Sequence, residues 1–311
     1  MVTEQDCYRC ILVKGIIAGI QIFLFLAFIN IRETGGGSMS KIKKTRRTDE
    51  EKQQLILDLV MMDDIMFESV CEDSCAVEEM LQTMLNEPNL RIKHDTLVAQ
   101  KSIRNLRGRS IRMDAYVAGQ EDKVFNIEIQ KSDNCNHVKR VRYNASLITV
   151  QNSEPGDDFE DIQQLIVIYI TQNDIFHNGL AVYHVQNTIQ EIGTAIDNGL
   201  KEVYINAEIK DGSKISKLMT AFQSKNLDES VRMMFPNTYR KFQSLKYDEK
   251  EVENMCNKVE IYAEKKSIYS AIESYDECGL DKATIVEKIV KRFDLTLEEA
   301  EQYYEDVLVT A

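Results

Sequence analysis

The stretch Ser110 to Lys131, SIRMDAYVAGQEDKVFNIEIQK, carries the side chains best placed to do chemistry: two carboxylates, Asp114 and Glu128, with Gln130 two residues beyond the second. Ile111, Met113, Ala115 and Val117 alternate with Arg112, Asp114 and Tyr116, the period-two pattern of a strand with one buried face. Phe125, Ile127 and Ile129 repeat the pattern and leave Val124, Asn126, Glu128 and Gln130 on the other face. Between them Ala118 to Lys123 is polar and includes Gly119, which predicts an antiparallel hairpin with a short loop. A turn centred near Gln120 and Glu121 brings Asp114 opposite Ile127 or Glu128, on the face of Glu128. Directly opposed Cβ atoms lie roughly 4.5 to 5.5 Å apart. Carboxylates that close repel unless a cation sits between them, and hard divalent ions such as Mg²⁺ take oxygen ligands of this kind. The spacing also fits a plainer arrangement, acidic side chains on the solvated face of a hairpin.

The flanking elements must hold that hairpin. Val138, Val141, Ala145 and Ile148 recur at helical spacing, so residues 136–151 read as an amphipathic helix packed back on the sheet, with His137, Lys139, Arg140, Arg142 and Tyr143 on its polar side. Leu165 to Thr171, LIVIYIT, suits a buried strand. Ala181 to Thr188 and Lys201 to Ile209 read as further strands, Asp174 to Gly179 as a turn, and His184 as a hydrogen-bonded core histidine. Helices are expected at 213–226 and 228–244, where Arg232 and Pro236 receive no role. Upstream, Asp63 and Asp64 open a helix with Ile65, Phe67 and Val70. Glu78 and Glu79 begin another whose stripe is Met80, Leu81, Met84 and Leu85, ended by Pro88. A charged helix runs from Asp248 to about Asp276, with Val252, Met255, Val259 and Tyr262 on one stripe. A terminal pair follows, in which Ile285, Ile289, Phe293 and Leu297 could make a small core and Thr296 with Glu299 forms a capping box. That pair has a helix-turn-helix outline, but its acidic surface suits a dimerisation or structural appendage better than a DNA reader.

The length of 311 residues allows one large domain or two modest ones. Net charge is −13, unfavourable for a nucleic-acid partner, yet unevenly spread. Arg91, Lys93, Lys101, Arg104, Arg107, Arg109 and Arg112 precede the carboxylates against only Asp95 and Asp114, and much of the acidity follows Tyr247. A local basic rim can draw phosphates to an acidic chain. The tract Lys41, Lys43, Lys44, Arg46 and Arg47 reads as an exposed arm or a frayed helix start. Seven cysteines, among them Cys7 and Cys10 at C-x-x-C spacing without a second pair, form no framework and fit a reducing cytosol. A Gly-rich phosphate loop, G-x-S-x-G and H-E-x-x-H are all missing from the sequence. Residues 11–31 are apolar over about the length of a bilayer-crossing helix, interrupted by Lys14 and Gln21. Gly35-Gly36-Gly37-Ser38 stands directly before Met39, and glycine codons can spell a purine-rich ribosome-binding site. The expectation is translation from Met39, with 1–38 a translated leader; the alternative is a single membrane anchor. Peptides from before Met39 in the native protein would refute the internal start.

An Asp on one strand, a hairpin turn and Glu-x-Gln on the next occur within NLRGRSIRMDAYV and KVFNIEIQKSD, followed by KRVRYNASLI and YITQNDIFHNGLAVYHVQNTI. Together, in this order, these segments resemble the PD-(D/E)XK nuclease family transposases, also described as recombination-promoting nucleases. The resemblance runs from Asp63 to Asn237. It implies an α/β, restriction-endonuclease-like fold, a mixed sheet core flanked by helices, with a helical C-terminal extension. The implied division is 1–38 as leader or anchor, 39–245 as the nuclease-like domain and 246–311 as the helical C-terminal region.

The resemblance makes Asp114 and Glu128 the metal-binding carboxylates and Gln130 the third position of the E-x-K element. The wider superfamily has a lysine there that positions or activates the attacking water. Glutamine can orient a water but carries no charge, and Lys131 points to the other face. A helix before the first core strand can supply a further acid, for which Asp64 and Glu79 are candidates. The R-x-R-Y-type segment implies DNA-phosphate contact by Arg140 and Arg142, with Arg112 beside them. The implied activity is a metal-dependent DNA endonuclease using Mg²⁺ or Mn²⁺, with DNA as its partner; the cysteine usage fits a cytoplasmic location, and the terminal helix pair leaves room for a homodimer. Two alternatives stay open: a DNA-binding or interaction protein of mobile-element origin that has lost cleavage, and a membrane-anchored protein if residues 11–31 are translated.

Overall fold

The predicted hairpin forms as β2 (Ile111–Ala118) and β3 (Lys123–Gln130), antiparallel, with Tyr116 beside Asn126 and Val117 beside Phe125. In this computed structural model the described residues are 48–103, 105, 110–120, 122–131 and 136–310, and residues 46–311 form one compact unit. The readings made for residues 11–31, Met39, the basic tract up to Arg47, Cys7, Cys10, Arg104, Arg107 and Arg109 lie outside the described residues. Gly119 turns the hairpin where a Cβ would stand 2.6 Å from a ring carbon of Phe125, so a larger residue would displace that buried ring.

The hairpin belongs to a six-stranded mixed sheet. β1 (Val98–Ile103), which the sequence analysis did not predict, pairs antiparallel with the outer side of β2. β4 (Gln164–Thr171) pairs parallel with β3, and the helix His137–Gln151 crosses between the two. On the far side, β8 (Leu200–Asn206) runs parallel to β4, and β5 (Val182–Val185) closes the sheet antiparallel to β8. A separate small ladder joins β6 (Asn187–Ile189) and β7 (Thr194–Ile196).

Helices cover both faces, which is why β3 and β4 are buried almost end to end rather than on alternate residues. One face meets α1 (Asp49–Asp58), α2 (Asp64–Val70), α3 (Ser74–Met84), α5 (Lys214–Phe222), α7 (Pro236–Tyr247) and the first half of α8 (Glu249–Glu277). The other meets α4 (His137–Gln151) through Val141, Ala145 and Ile148. Val138, assigned to the same stripe from spacing, is instead 47 % exposed. The second half of α8 packs its Ile268 and Ile272 with α9 (Lys282–Phe293) and α10 (Leu297–Thr310) in a third core. That core contains Ile285 and Ile289 as expected, but Leu297 is exposed and Ala300 and Val307 take its place.

Local signals explain the boundaries. Thr48 and Glu51 form a capping box, so the charged start of α1 is an ordered first turn. α3 begins at Ser74, four residues before the predicted start, because the Asp73 side chain accepts the N–H groups of Cys75 and Ala76. The stretch expected as one helix over 228–244 splits into α6 (Glu229–Met234) and α7, since Pro236 can open a helix but cannot continue one. The Thr296–Glu299 capping box opens α10 as predicted. His184 on β5 is exposed, so it is not a core histidine: β5 is an edge strand whose last two residues are exposed. Among the described residues, no helix is long and apolar enough to cross a membrane.

Candidate functional site

Asp114 and Glu128 meet where the β2–β3 ladder opens. The paired positions stop at Ala115 and Ile127, and one further step of that register sets Asp114 beside Glu128. At this point the Asp114 Oδ2 accepts the backbone N–H of Ile129 at 2.7 Å, so a side-chain oxygen takes the place of a ladder partner. On the other side of β2, Gln100 of β1 stands opposite Asp114 with φ 52, a conformation rarely adopted by residues with a side chain. Glu68 of α2 accepts a hydrogen bond from the Gln100 amide.

This distortion corrects one expectation. Ile111, Met113, Ala115 and Val117 do not share a face: Ile111 and Met113 pack on the α4 side, Ala115 and Val117 on the opposite side. Strict alternation breaks at Asp114 itself. Local backbone strain of this kind costs of order 1–3 kcal/mol and persists only where surrounding structure demands it.

Glu128 is not on a solvated face: it lies on the side of the sheet that α4 packs against and is 8 % exposed. Its neighbour Asn126 is fully buried and donates from Nδ2 to Glu128 Oε1 at 3.2 Å, while the Asn126 Oδ1 finds no partner among the described residues. Burial first, then the charge of Asp114, pushes the Glu128 carboxyl well above its usual range; Asn126, Arg140 and Arg112 oppose this. Asp114, half-buried at the rim, is pushed up to about 7, chiefly by loss of solvent and further by Asp64 and Glu68, against the Ile129 N–H and Arg112. Both carboxyls are thus poor anions as the protein stands. A cation between them would relieve the repulsion.

The residues present fit a divalent ion of the Mg²⁺ type. Asp114 has one oxygen held by Ile129 and Glu128 has one held by Asn126, leaving Oδ1 and Oε2 without a hydrogen bond among the described residues. No group of three or more His, Cys, Asp or Glu side chains among the described residues could hold a metal, so the pair would supply two ligands. Mg²⁺ commonly uses one or two carboxylates and fills its remaining positions with water and phosphate oxygens.

The other predicted residues fall into two groups. Gln130 is close by, its Oε1 accepting from Arg140 Nη1 at 2.5 Å. Arg142 is exposed on α4, and Arg112 is half-buried with its charge acting on Asp114, Glu68, Tyr262 and Tyr269. Asp64 lies near enough to raise Asp114 and accepts the Tyr262 hydroxyl at 2.9 Å. Glu79 lies elsewhere: it accepts the N–H groups of Asn237 and Thr238 and the Thr238 hydroxyl, capping α7. Lys131 pairs with Asp63 and is therefore held away from Gln130. Sequence reasoning missed Tyr169, directly beside Glu128 in the β3–β4 register. Its hydroxyl contacts His137 Nδ1 at 3.1 Å and hydrogen-bonds Arg140. The signal available was weak, one phenol hydroxyl in the middle of the apolar run LIVIYIT.

The sequence model of the PD-(D/E)XK nuclease family transposases matches residues 66–288, more than two thirds of the chain. The chain belongs to this family. The six-stranded mixed sheet with flanking helices agrees with the PD-(D/E)XK fold. No curated protein and no solved structure matches the chain. In this PD-(D/E)XK chain the carboxylate pair, the α4 arginines and Gln130 all lie within the matched region.

Proposed function

We propose that the chain is a metal-dependent DNA endonuclease that hydrolyses phosphodiester bonds, with Asp114 and Glu128 as the cation-holding carboxylates. The observation that carries this reading is the buried pair itself: two carboxyls side by side, both destabilised as anions, in a chain of a nuclease family. A divalent cation, Mg²⁺ or Mn²⁺, would supply charge that draws a phosphate oxygen and makes a nearby water more acidic. Asp114 and Glu128 would hold that charge between them. Ile129 N–H and Asn126 fix their orientations, so the geometry is set before substrate arrives. Gln130 orients the attacking water through its amide. Arg142, exposed on α4, meets the DNA backbone, with Arg112 contributing charge from the β2 side; such contacts position the protein without reading sequence.

Cleavage of supercoiled DNA by the full chain in Mg²⁺ or Mn²⁺, beside Asp114→Ala and Glu128→Ala, tests the reading. Nicking or linearisation by the parent that disappears in both folded variants is expected. A second reading has one observation in its favour, the uncharged Gln130 at the third position of the signature. On that reading the chain binds DNA or another partner without cutting, and a parent that binds but leaves DNA intact with either cation selects it.

A further inference from the structure

Arg140 and Tyr169 are joined to Gln130 by contacts that no part of the catalytic account above uses. We propose that they form a clamp, in which Tyr169 positions Arg140 and Arg140 in turn sets the Gln130 amide and charges its surroundings. Arg140 is then a positioning residue for the reaction and not a contact to the DNA backbone. The proposal rests on the nuclease reading and deepens the same site.

A guanidinium can only donate, so its contact with Gln130 Oε1 fixes which end of that amide faces it. The Gln130 NH₂ is thereby directed away from Arg140. On its own strand Gln130 lies two residues from Glu128 and on the same face. The charge of Arg140 is permanent, and Gln130 has none. The pair therefore offers at one place what neither side chain offers alone, an oriented amide donor with a fixed positive charge behind it.

The start of α4 does not itself explain why Arg140 is so placed. Asn136, the residue before the helix, is left-handed at φ 74 and its side chain caps nothing. Tyr169 holds that turn instead. His137 and Arg140 are three apart, on one helix face, and both meet the Tyr169 hydroxyl. Tyr169 is 1 % exposed, with its ring edge-on to Tyr204 at 5.9 Å and to His137 at 5.8 Å. A side chain fixed this firmly can transmit its position to the helix, and Arg140 inherits it.

The test combines cleavage kinetics with the salt dependence of DNA binding. Arg140→Gln is expected to lower kcat about 100-fold, the scale of losing one preorganised charged donor. The slope of log affinity against log salt should stay at the parent value. Arg142→Gln should reduce that slope by about one, as for the loss of a phosphate contact. Tyr169→Phe keeps the ring and removes the hydroxyl, so kcat should fall about 10-fold, one hydrogen bond's worth, at an unchanged KM. Adding Gln130→Lys to Arg140→Gln, which returns a charge to the site from the other partner, should recover most of the lost turnover.

Arg140→Gln with intact kcat and a slope reduced by about one overturns the clamp and makes Arg140 a phosphate contact. A parent that binds DNA but cuts nothing overturns the nuclease reading instead. The clamp is then decided by a double-mutant cycle in thermal unfolding between Tyr169→Phe and Arg140→Gln: coupled effects uphold it, and strictly additive ones overturn it.

Discussion

Glu128 and Asp174 are equally inaccessible, each 8 % exposed, and their carboxyl groups shift in opposite directions. Asp174 lies in the turn after β4. Burial pushes it up, but the N–H groups of Gly179, Phe176 and His177 and the Tyr183 hydroxyl more than offset that and hold it below its ordinary value. Glu128 lies deep in the sheet with one amide donor and a second carboxyl alongside. The comparison separates two uses of a buried acid. One that has collected donors organises a loop; one kept short of donors, beside another acid, is what the proposed cation site requires.

The largest effects fall on the Glu128 side. Asp114→Ala and Glu128→Ala should each reduce cleavage about 1,000-fold or more, since cation charge worth several kcal/mol in the transition state is lost. Thermal stability of the metal-free variants should match or exceed the parent's, because a destabilised buried carboxyl has been removed. Asp174→Ala should do the reverse, costing about 2–4 kcal/mol of folding free energy by leaving several donors unpaired, with turnover per folded molecule unchanged. If Asp174→Ala abolished turnover in a chain of parental stability, the distinction would fail.

Stability against pH sharpens it further. The folded Asp114 carboxyl is raised to about 7, so between ~4 and 7 the native chain keeps a proton that the unfolded chain has released. That contribution is fully present below the unfolded pKa and is lost as pH rises through the folded one. Metal-free thermal melts should therefore weaken from about pH 4.5 to about pH 7, the window between the two pKa values, and Mg²⁺ should restore stability at the upper end. The smallest effect is Tyr183→Phe, which removes one of the donors to Asp174 and should cost about 1 kcal/mol by chemical denaturation.

The hairpin was legible in the sequence because its apolar positions alternate and its loop carries Gly119. Its register was legible to within one residue, enough to bring Asp114 and Glu128 together. What pattern could not reveal was that alternation breaks at Asp114. The break depends on Gln100 of β1, and VAQKSI has too little contrast between its two sets of alternate residues to declare a strand. The burial of Glu128 was not read from the sequence, although two elements that bear on it, a helix packing back on the sheet and a continuous apolar β4, were each read separately. Glu79 misled because an acid near the start of a helix reads alike whether it serves a site or caps a distant helix, and only the fold brings Asn237 and Thr238 to it. Tyr169 was hidden for a similar reason: its partners, His137 and Arg140, are 32 and 29 residues earlier in the chain.

The central claim, that Asp114 and Glu128 are a cation site, is tested most directly by calorimetric titration of the full chain with Mg²⁺ or Mn²⁺ at pH 6 in two buffers of different ionisation enthalpy. Asp114, raised to about 7, holds a proton at that pH which a bound cation must displace, so saturable binding with net proton release is predicted, and both should vanish in Asp114→Asn. Binding without proton release, or binding unchanged by that substitution, would contradict the account and move the cation elsewhere in the molecule.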